Sequence, residues 1–186
     1  PKAPRETRIL DKYRTLIAPI ANKVLGTITT DVGRSGASLN VGGESALGDL
    51  IADAQLADPS TVGGFAPPVI AFMNPGGIRA DLTDASSVKG EGDGVVTFEE
   101  AFTVQPFNNY LVSLDLTGAQ LKALLNDQWS GKNASSPRIL QVSDGFAYTY
   151  TGTTLGAVTL DGVPLDDAAT YRVVTNNFLA DGGDGF

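Results

Sequence analysis

The sequence has no cysteine and no histidine in its 186 residues. That excludes serine–histidine–aspartate and cysteine–histidine catalysis within the chain. It also excludes zinc sites of the usual Cys/His kind. Acid–base chemistry here would have to rest on Asp, Glu, Lys, Arg or Tyr. Basic residues are also few: 13 Lys and Arg against 21 Asp and Glu give a net charge of -8 and a pI near 4.4. Proteins that track phosphate backbones concentrate Lys and Arg, so no nucleic-acid footprint is expected. An anionic domain still binds a nucleotide when a few Arg are well placed. No apolar run reaches the 18 residues of a membrane-spanning helix, so no membrane segment is expected. The opening "PKAPRETR" lacks the apolar core of a signal peptide. The chain starts abruptly and ends on a motif, which leads us to expect a piece of a longer protein.

What is present reads as a globular chain: 42% hydrophobic and 18% charged residues, at a length that suits one domain. Residues 6–25 carry Ile9, Leu10, Tyr13, Leu16, Ile17, Ile20 and Val24 at helical spacing, with Pro19 set to kink or interrupt the helix. "GTITT" (26–30) reads as a strand and the Gly/Ser/Asn-rich 33–43 as a loop. A second helix is expected over 44–57, with Leu47, Leu50, Ile51 and Ala54 on one face and Glu44 at its positive end. "PPVIAFMN" (67–74) reads as a buried strand. Thr97 with Glu100, and Thr117 with Gln120, have capping-box spacing at two further helix starts. The second of these helices has Leu121, Leu124 and Leu125 as its core face. "YLVSLDL", "RILQVS", "FAYTY", "AVTL" and "YRVVT" are strand candidates. Helices and strands interleave without strict βαβ alternation, which points to an α+β single domain with a mixed β-sheet packed by helices.

Three stretches have the composition of binding loops. In "FMNPGGIRADL" (72–82), Asn74 ends a strand, the Gly pair permits a tight turn and close ligand approach, and Arg79 offers a planar fork of donors. The same pattern suits a plain strand turn with a surface Arg. In "VQPFNNY" (104–110), Phe107 on a polar turn is either a stacking surface for a base or a core residue. "NNFLADGGDGF" (176–186) follows a strand and contains Phe178 and Asp184. It is too short for a calcium-binding repeat array, lacks the Lys-Ser/Thr of a phosphate loop, and lacks the dinucleotide fingerprint. "KGEGDG" (89–94) lacks the spacing of an EF-hand, "DGVPLDDAATY" (161–171) reads as a solvated turn, and "NAS" (133–135) matches a glycosylation sequon.

Taken together, "GESALGDLIADAQL", "NPGGIRADL", "VQPFNNYLVSLDLTGAQLKALL", "RILQVSDGFAYTY" and "YRVVTNNFLADGGDGF" follow an order that resembles the C-terminal domain of the 5'-nucleotidases. That family includes periplasmic UDP-sugar hydrolases and ecto-5'-nucleotidases. The resemblance covers nearly all of residues 24–186. It implies a two-domain enzyme outside the cytoplasm: extracellular, on the cell surface, or periplasmic. Its N-terminal metallophosphoesterase domain, joined in cis and not in this chain, would hold two divalent metal ions of the Zn/Mn/Mg type and hydrolyse nucleotides. Residues 1–25 would be the connector helix and 26–186 the domain that binds the nucleotide or nucleoside. The chain itself would contain no metal, no cofactor and no catalytic residue, and would be inactive alone.

The resemblance also implies residue roles. Phe107 and Phe178 would sandwich the base and Asp184 would accept from the ribose hydroxyls. Arg79 would be a ribose-facing or phosphate-side donor, Asn74 a pocket amide, and Asn109 a contact to the base edge. Two departures stand out. Pro75 replaces the first Gly of the family's Gly triplet, removing a backbone donor. The Arg that many relatives place just before the "ES.LG.L" helix is missing, and Arg34 is the nearest upstream. Alternatives within the class are a 2',3'-cyclic-nucleotide phosphodiesterase, a UDP-sugar hydrolase or an extracellular nuclease. An alternative outside it is a surface binding module without catalysis.

Overall fold

In the computed structural model, which describes residues 3–63, 66–85 and 90–186, the chain divides into two compact units. One unit comprises the residues up to Val32 together with Arg79–Pro106. The other comprises Gly33–Ile78 and Phe107–Phe186 and holds the main core.

The first unit opens with α1 (Pro4–Ala21), which starts with Pro in its first turn, where the missing N–H costs nothing. The expected helix ran to residue 25, but α1 ends two residues after Pro19, whose ring and absent N–H weaken the last turn. Val24 therefore leaves the helical stripe and starts β1 (Val24–Thr27). This strand lies slightly N-terminal to the predicted "GTITT", because it pairs antiparallel with β3 (Val95–Thr97), Val24 opposite Thr97 and Thr27 opposite Val95. The rest of the predicted apolar stripe, from Ile9 to Ile20, is exposed, and only Ala21 of α1 is buried. Helix α3 (Phe98–Val104) follows β3 and has the predicted capping box: Glu100 Oε2 accepts from the Thr97 amide at 2.8 Å, and Thr97 Oγ1 accepts from the Glu100 amide. Of "KGEGDG", Lys89 lies outside the described residues; the remainder is a turn closed by the Gly94 amide donating to the Asp84 carbonyl at 2.6 Å.

The second unit is built on a four-stranded mixed sheet in the spatial order Leu111–Thr117, Thr170–Asn176, Ile70–Met73, Gln141–Val142 (β4-β9-β2-β5). β2 (Ile70–Met73) is buried at every residue, as its unbroken apolar run predicts. It runs parallel to β9 (Thr170–Asn176) and antiparallel to β5 (Gln141–Val142). β4 (Leu111–Thr117) pairs antiparallel with β9 along its whole length. β6 (Phe146–Thr151), β7 (Thr154–Leu160) and β8 (Val163–Pro164) form a second, antiparallel sheet. β8 adds a short strand inside the segment expected to be only a turn.

α2 (Ala46–Ala57) packs on β2 and β5. Ser45 caps it by accepting from the Gly48 amide at 3.0 Å, so the cap lies one residue beyond Glu44. Its buried face is Leu47, Gly48, Ile51, Ala52 and Gln55, rotated from the expected one: Leu50 and Ala54 face outward. α4 (Gly118–Asp127) carries the second capping box. Its Leu121 and Leu125 are buried, with Leu124 packed at the margin. They join Ile70, Phe72, Leu140, Phe146, Val158, Val173 and Leu179 in one core. Each such side chain is worth about 1.5–3 kcal/mol of apolar burial. Asn133 of the sequon is buried, with its side-chain amide donating to the Asp127 carbonyl, so it offers no acceptor surface for a glycan. The α+β class and the mixed sheet packed by helices are those the sequence predicts.

Candidate functional site

Sheet topology creates one convergence of chain ends. β2 and β9 are parallel neighbours, so both finish at the same edge, at Met73 and Asn176. β4 runs the other way and starts at that edge, with Leu111 opposite Asn176. Just beyond lie Asn74 after β2, the Phe107–Tyr110 segment before β4, and α5 (Asn177–Ala180) after β9. The last two are tied together: the Tyr110 amide donates to Asn177 Oδ1 at 3.0 Å, and the Asn177 amide donates to the Tyr110 carbonyl at 2.9 Å.

A cavity of about 170 Å³ opens at this edge, lined by Asn74, Gly76, Gly77, Phe107, Asn109, Phe178 and Asp184. Every substrate-site residue expected from the sequence is therefore brought together here except Arg79. That residue belongs to the other unit, where its amide donates to the Val104 carbonyl at 2.8 Å. Phe107 and Phe178 are 47% and 46% exposed, so neither is a core residue and both keep a free ring surface. Asn109 is exposed and Asn74 fully buried.

Pro75 opens a 3-10 turn over Pro75–Gly77 with Asn74 as the residue before it. Proline suits that position, and the turn closes through the Gly77 amide to the Asn74 carbonyl at 3.1 Å. Two glycines are required by close approach. A Cβ on Gly76 would stand 2.6 Å from Asp184 Oδ2, and one on Gly183 would collide with the Phe178 ring. Asp184 itself has φ 57°, a left-handed conformation that Asp tolerates better than most residues.

The Asp184 carboxylate is 13% exposed and held from two sides. Oδ2 accepts from Asn74 Nδ2 at 2.7 Å, and Oδ1 accepts from an Arg138 guanidinium nitrogen at 2.7 Å. Asn74 Oδ1 in turn accepts from Asn176 Nδ2 at 2.9 Å, while Asn176 Oδ1 caps α5 by accepting from the Leu179 amide. The sequence reading missed Asn176 and Arg138. Asn176 before "NFLA" is an N-cap signal that was there to be read. Arg138 has no local signal, since its partner lies 46 residues away.

A wider cavity of about 520 Å³ lies elsewhere in the same unit, lined by Glu44, Asp49, Asp53 and Asp144 among others. Burial, then the charges of Glu44 and Asp53, push Asp49 from its usual 3.8 up to about 6, against a hydrogen bond from the Val142 backbone. Such a surface repels anions. Among the described residues no group of three or more His, Cys, Asp or Glu is placed to hold a metal ion. No helix of the described residues is long and apolar enough to cross a membrane.

The chain belongs to the 5'-nucleotidase, C-terminal domain family, whose profile matches residues 24–186. It is 38% identical over 151 residues to the cell wall protein Lmo0130 of Listeria monocytogenes, covering 77% of this chain and 18% of that protein. It is 34% identical over 194 residues to the trifunctional nucleotide phosphoesterase protein YfkN of Bacillus subtilis, covering 98% of this chain and 12% of the relative. The crystal structure of a 5'-nucleotidase precursor from Thermus thermophilus superposes with a TM-score of 0.74 at 33% identity, covering 96% of this chain and 34% of that one. The chain thus spans about a third or less of the length of each of these proteins.

Proposed function

We propose that the cavity at the sheet edge binds the nucleoside part of a nucleotide, and that the chain is the specificity domain of a phosphohydrolase acting outside the cytoplasm. The observation that carries this reading is the pairing of two half-exposed aromatic rings, Phe107 and Phe178, with one fixed carboxylate in a single small cavity. At about 170 Å³ the cavity is smaller than the roughly 300–1,000 Å³ of sites that enclose drug-sized ligands. It suits one flat ring system, with the sugar at its mouth against Asp184 and the phosphate left outside. Stacking on aromatic side chains contributes about 1–3 kcal/mol per base by alanine substitution and tolerates any base. A carboxylate is acceptor-only, so Asp184 matches the hydroxyls of a ribose. Asn109, which also lines the cavity, is assigned to polar atoms of the base edge.

The chemical step is assigned outside this chain, to a metallophosphoesterase half joined in cis through α1 as connector. That assignment rests on the family, on relatives named as nucleotidase and phosphoesterase, and on the share of their length this chain spans. Arg79 remains part of the proposal as a donor toward the sugar or phosphate. The relative named a cell wall protein supports a location at the cell surface. The relative named a trifunctional phosphoesterase favours a second reading in which one pocket serves several nucleotide esters. A substrate panel on the full-length protein tests both: nucleoside monophosphates, cyclic nucleotides, UDP-sugars and nucleic acid. Turnover of nucleoside monophosphates alone supports the first reading. Comparable turnover of cyclic nucleotides or UDP-sugars supports the second. Activity on none of the small nucleotides contradicts both.

A further inference from the structure

We propose that Arg138 is the positioning residue that gives this pocket its preference for a sugar with free vicinal hydroxyls. It acts through Asp184, and the inference rests on the reading of Asp184 as the sugar's acceptor. A carboxylate has about four lone-pair sites. Asn74 occupies one on Oδ2 and Arg138 one on Oδ1, each at 2.7 Å. About one acceptor site is left on each oxygen, which is the requirement for receiving two adjacent hydroxyls at once.

Both clamps stand on rigid supports. Asn74 is buried and fixed by Asn176. The Arg138 amide donates to the Gln128 carbonyl at 2.8 Å, and two residues on the Leu140 amide donates to Gln128 Oε1 at 2.7 Å. Gln128 and Leu140 are fully buried, so the guanidinium projects from a fixed backbone. Without Arg138 the carboxylate keeps only the Asn74 bond and pivots about it. One hydroxyl contact then survives at most. The Arg138 side chain is 44% exposed, and an ion pair of that kind contributes little to folding. Its removal therefore perturbs the site more than the fold.

The test measures Kd by calorimetry on the full-length protein. The ligands are the tightest-binding of the four common ribonucleosides and its 2',3'-dideoxy counterpart, both uncharged, so the charge of Arg138 does not act on the ligand directly. Arg138→Ala is expected to weaken ribonucleoside binding about tenfold, the scale of one charge-assisted hydrogen bond. Dideoxynucleoside binding is expected to stay within about twofold. Arg138→Lys keeps the charge but loses the planar fork. It should fall between the two, and it supplies the same comparison if the alanine variant does not fold. Equal weakening of both ligands, or an unchanged ribonucleoside Kd, overturns the role of Arg138. Asp184→Ala separates the two layers. If it lowers the ribose preference while Arg138→Ala does not, only the inference about Arg138 falls. If Asp184→Ala also leaves the preference intact, or the unsubstituted protein binds no nucleoside, the reading of the pocket falls with it.

Discussion

Phe178 is half-exposed and lines the cavity, and its Cδ1 and Cε1 atoms lie so close to Gly183 that no Cβ fits there. Glycine at 183 is thus a steric requirement of the ring's position. Gly183→Ala should displace Phe178 without deleting it, and raise KM for a nucleoside monophosphate by about the same factor as Phe178→Ala, while kcat stays near the original. Steady-state kinetics on the full-length protein measures both. An unchanged KM for Gly183→Ala would mean that the ring is not used where it stands. Gly76 has the equivalent relation to Asp184, which ties the "NPGG" turn to the "GGDG" terminus. That Phe107, Phe178 and Asp184 line one cavity is legible once the family resemblance is set beside the local motifs. The clamp that orients the acid is not, because Arg138 and Asp184 are distant in sequence and meet only through tertiary packing.

The sequence was most informative about elements where local chemistry decides the structure. Both capping boxes formed as spaced, because each satisfies two orphan amides whatever the surroundings. Thr117→Ala should cost about 0.5–2 kcal/mol in denaturant unfolding, and Leu125→Ala, in the core on the same helix, about 2–5 kcal/mol. A similar loss for both would mean α4 is not anchored by Leu125. Where tertiary context decides, the sequence reading drifted. α2 turned its buried face away from Leu50 and Ala54, since β2 and β5 set which side meets the sheet. α1 ends at Ala21, two residues after Pro19, and its regular apolar stripe is exposed. Periodicity shows that a stripe exists and not whether this chain covers it. α2 also contains a pH-dependent element. Asp49 in the fold titrates near 6, above its usual 3.8, so the folded state binds that proton more tightly than the unfolded one. Its contribution to stability is present below about pH 4 and is lost as pH rises through 6. Asp49→Asn should flatten that slope and melt higher than the original protein at pH 7. An unchanged melting profile between about pH 4 and 7 would contradict the burial of this carboxylate among Glu44 and Asp53.

At the scale of the whole molecule, a family profile over residues 24–186 and a fold shared with a 5'-nucleotidase support a division of labour, with binding in this chain and the chemistry outside it. With no histidine and no acid cluster among the described residues fit for a metal, the isolated chain is expected to release no phosphate from nucleoside monophosphates, even with added Mn²⁺ or Zn²⁺. Metal-dependent phosphate release by the chain alone would mean the active site had been misplaced. The net charge of -8 offers an anionic nucleotide no long-range attraction, so on the proposed reading the cavity's own contacts would have to hold it. The central claim is therefore that Phe107 and Phe178 grip the base. It is tested most directly by the KM of Phe107→Ala and Phe178→Ala in the full-length protein with its preferred nucleotide. The account predicts a rise of about tenfold or more in each, in line with the loss of one stacking wall. Kinetics unchanged in both variants would contradict it.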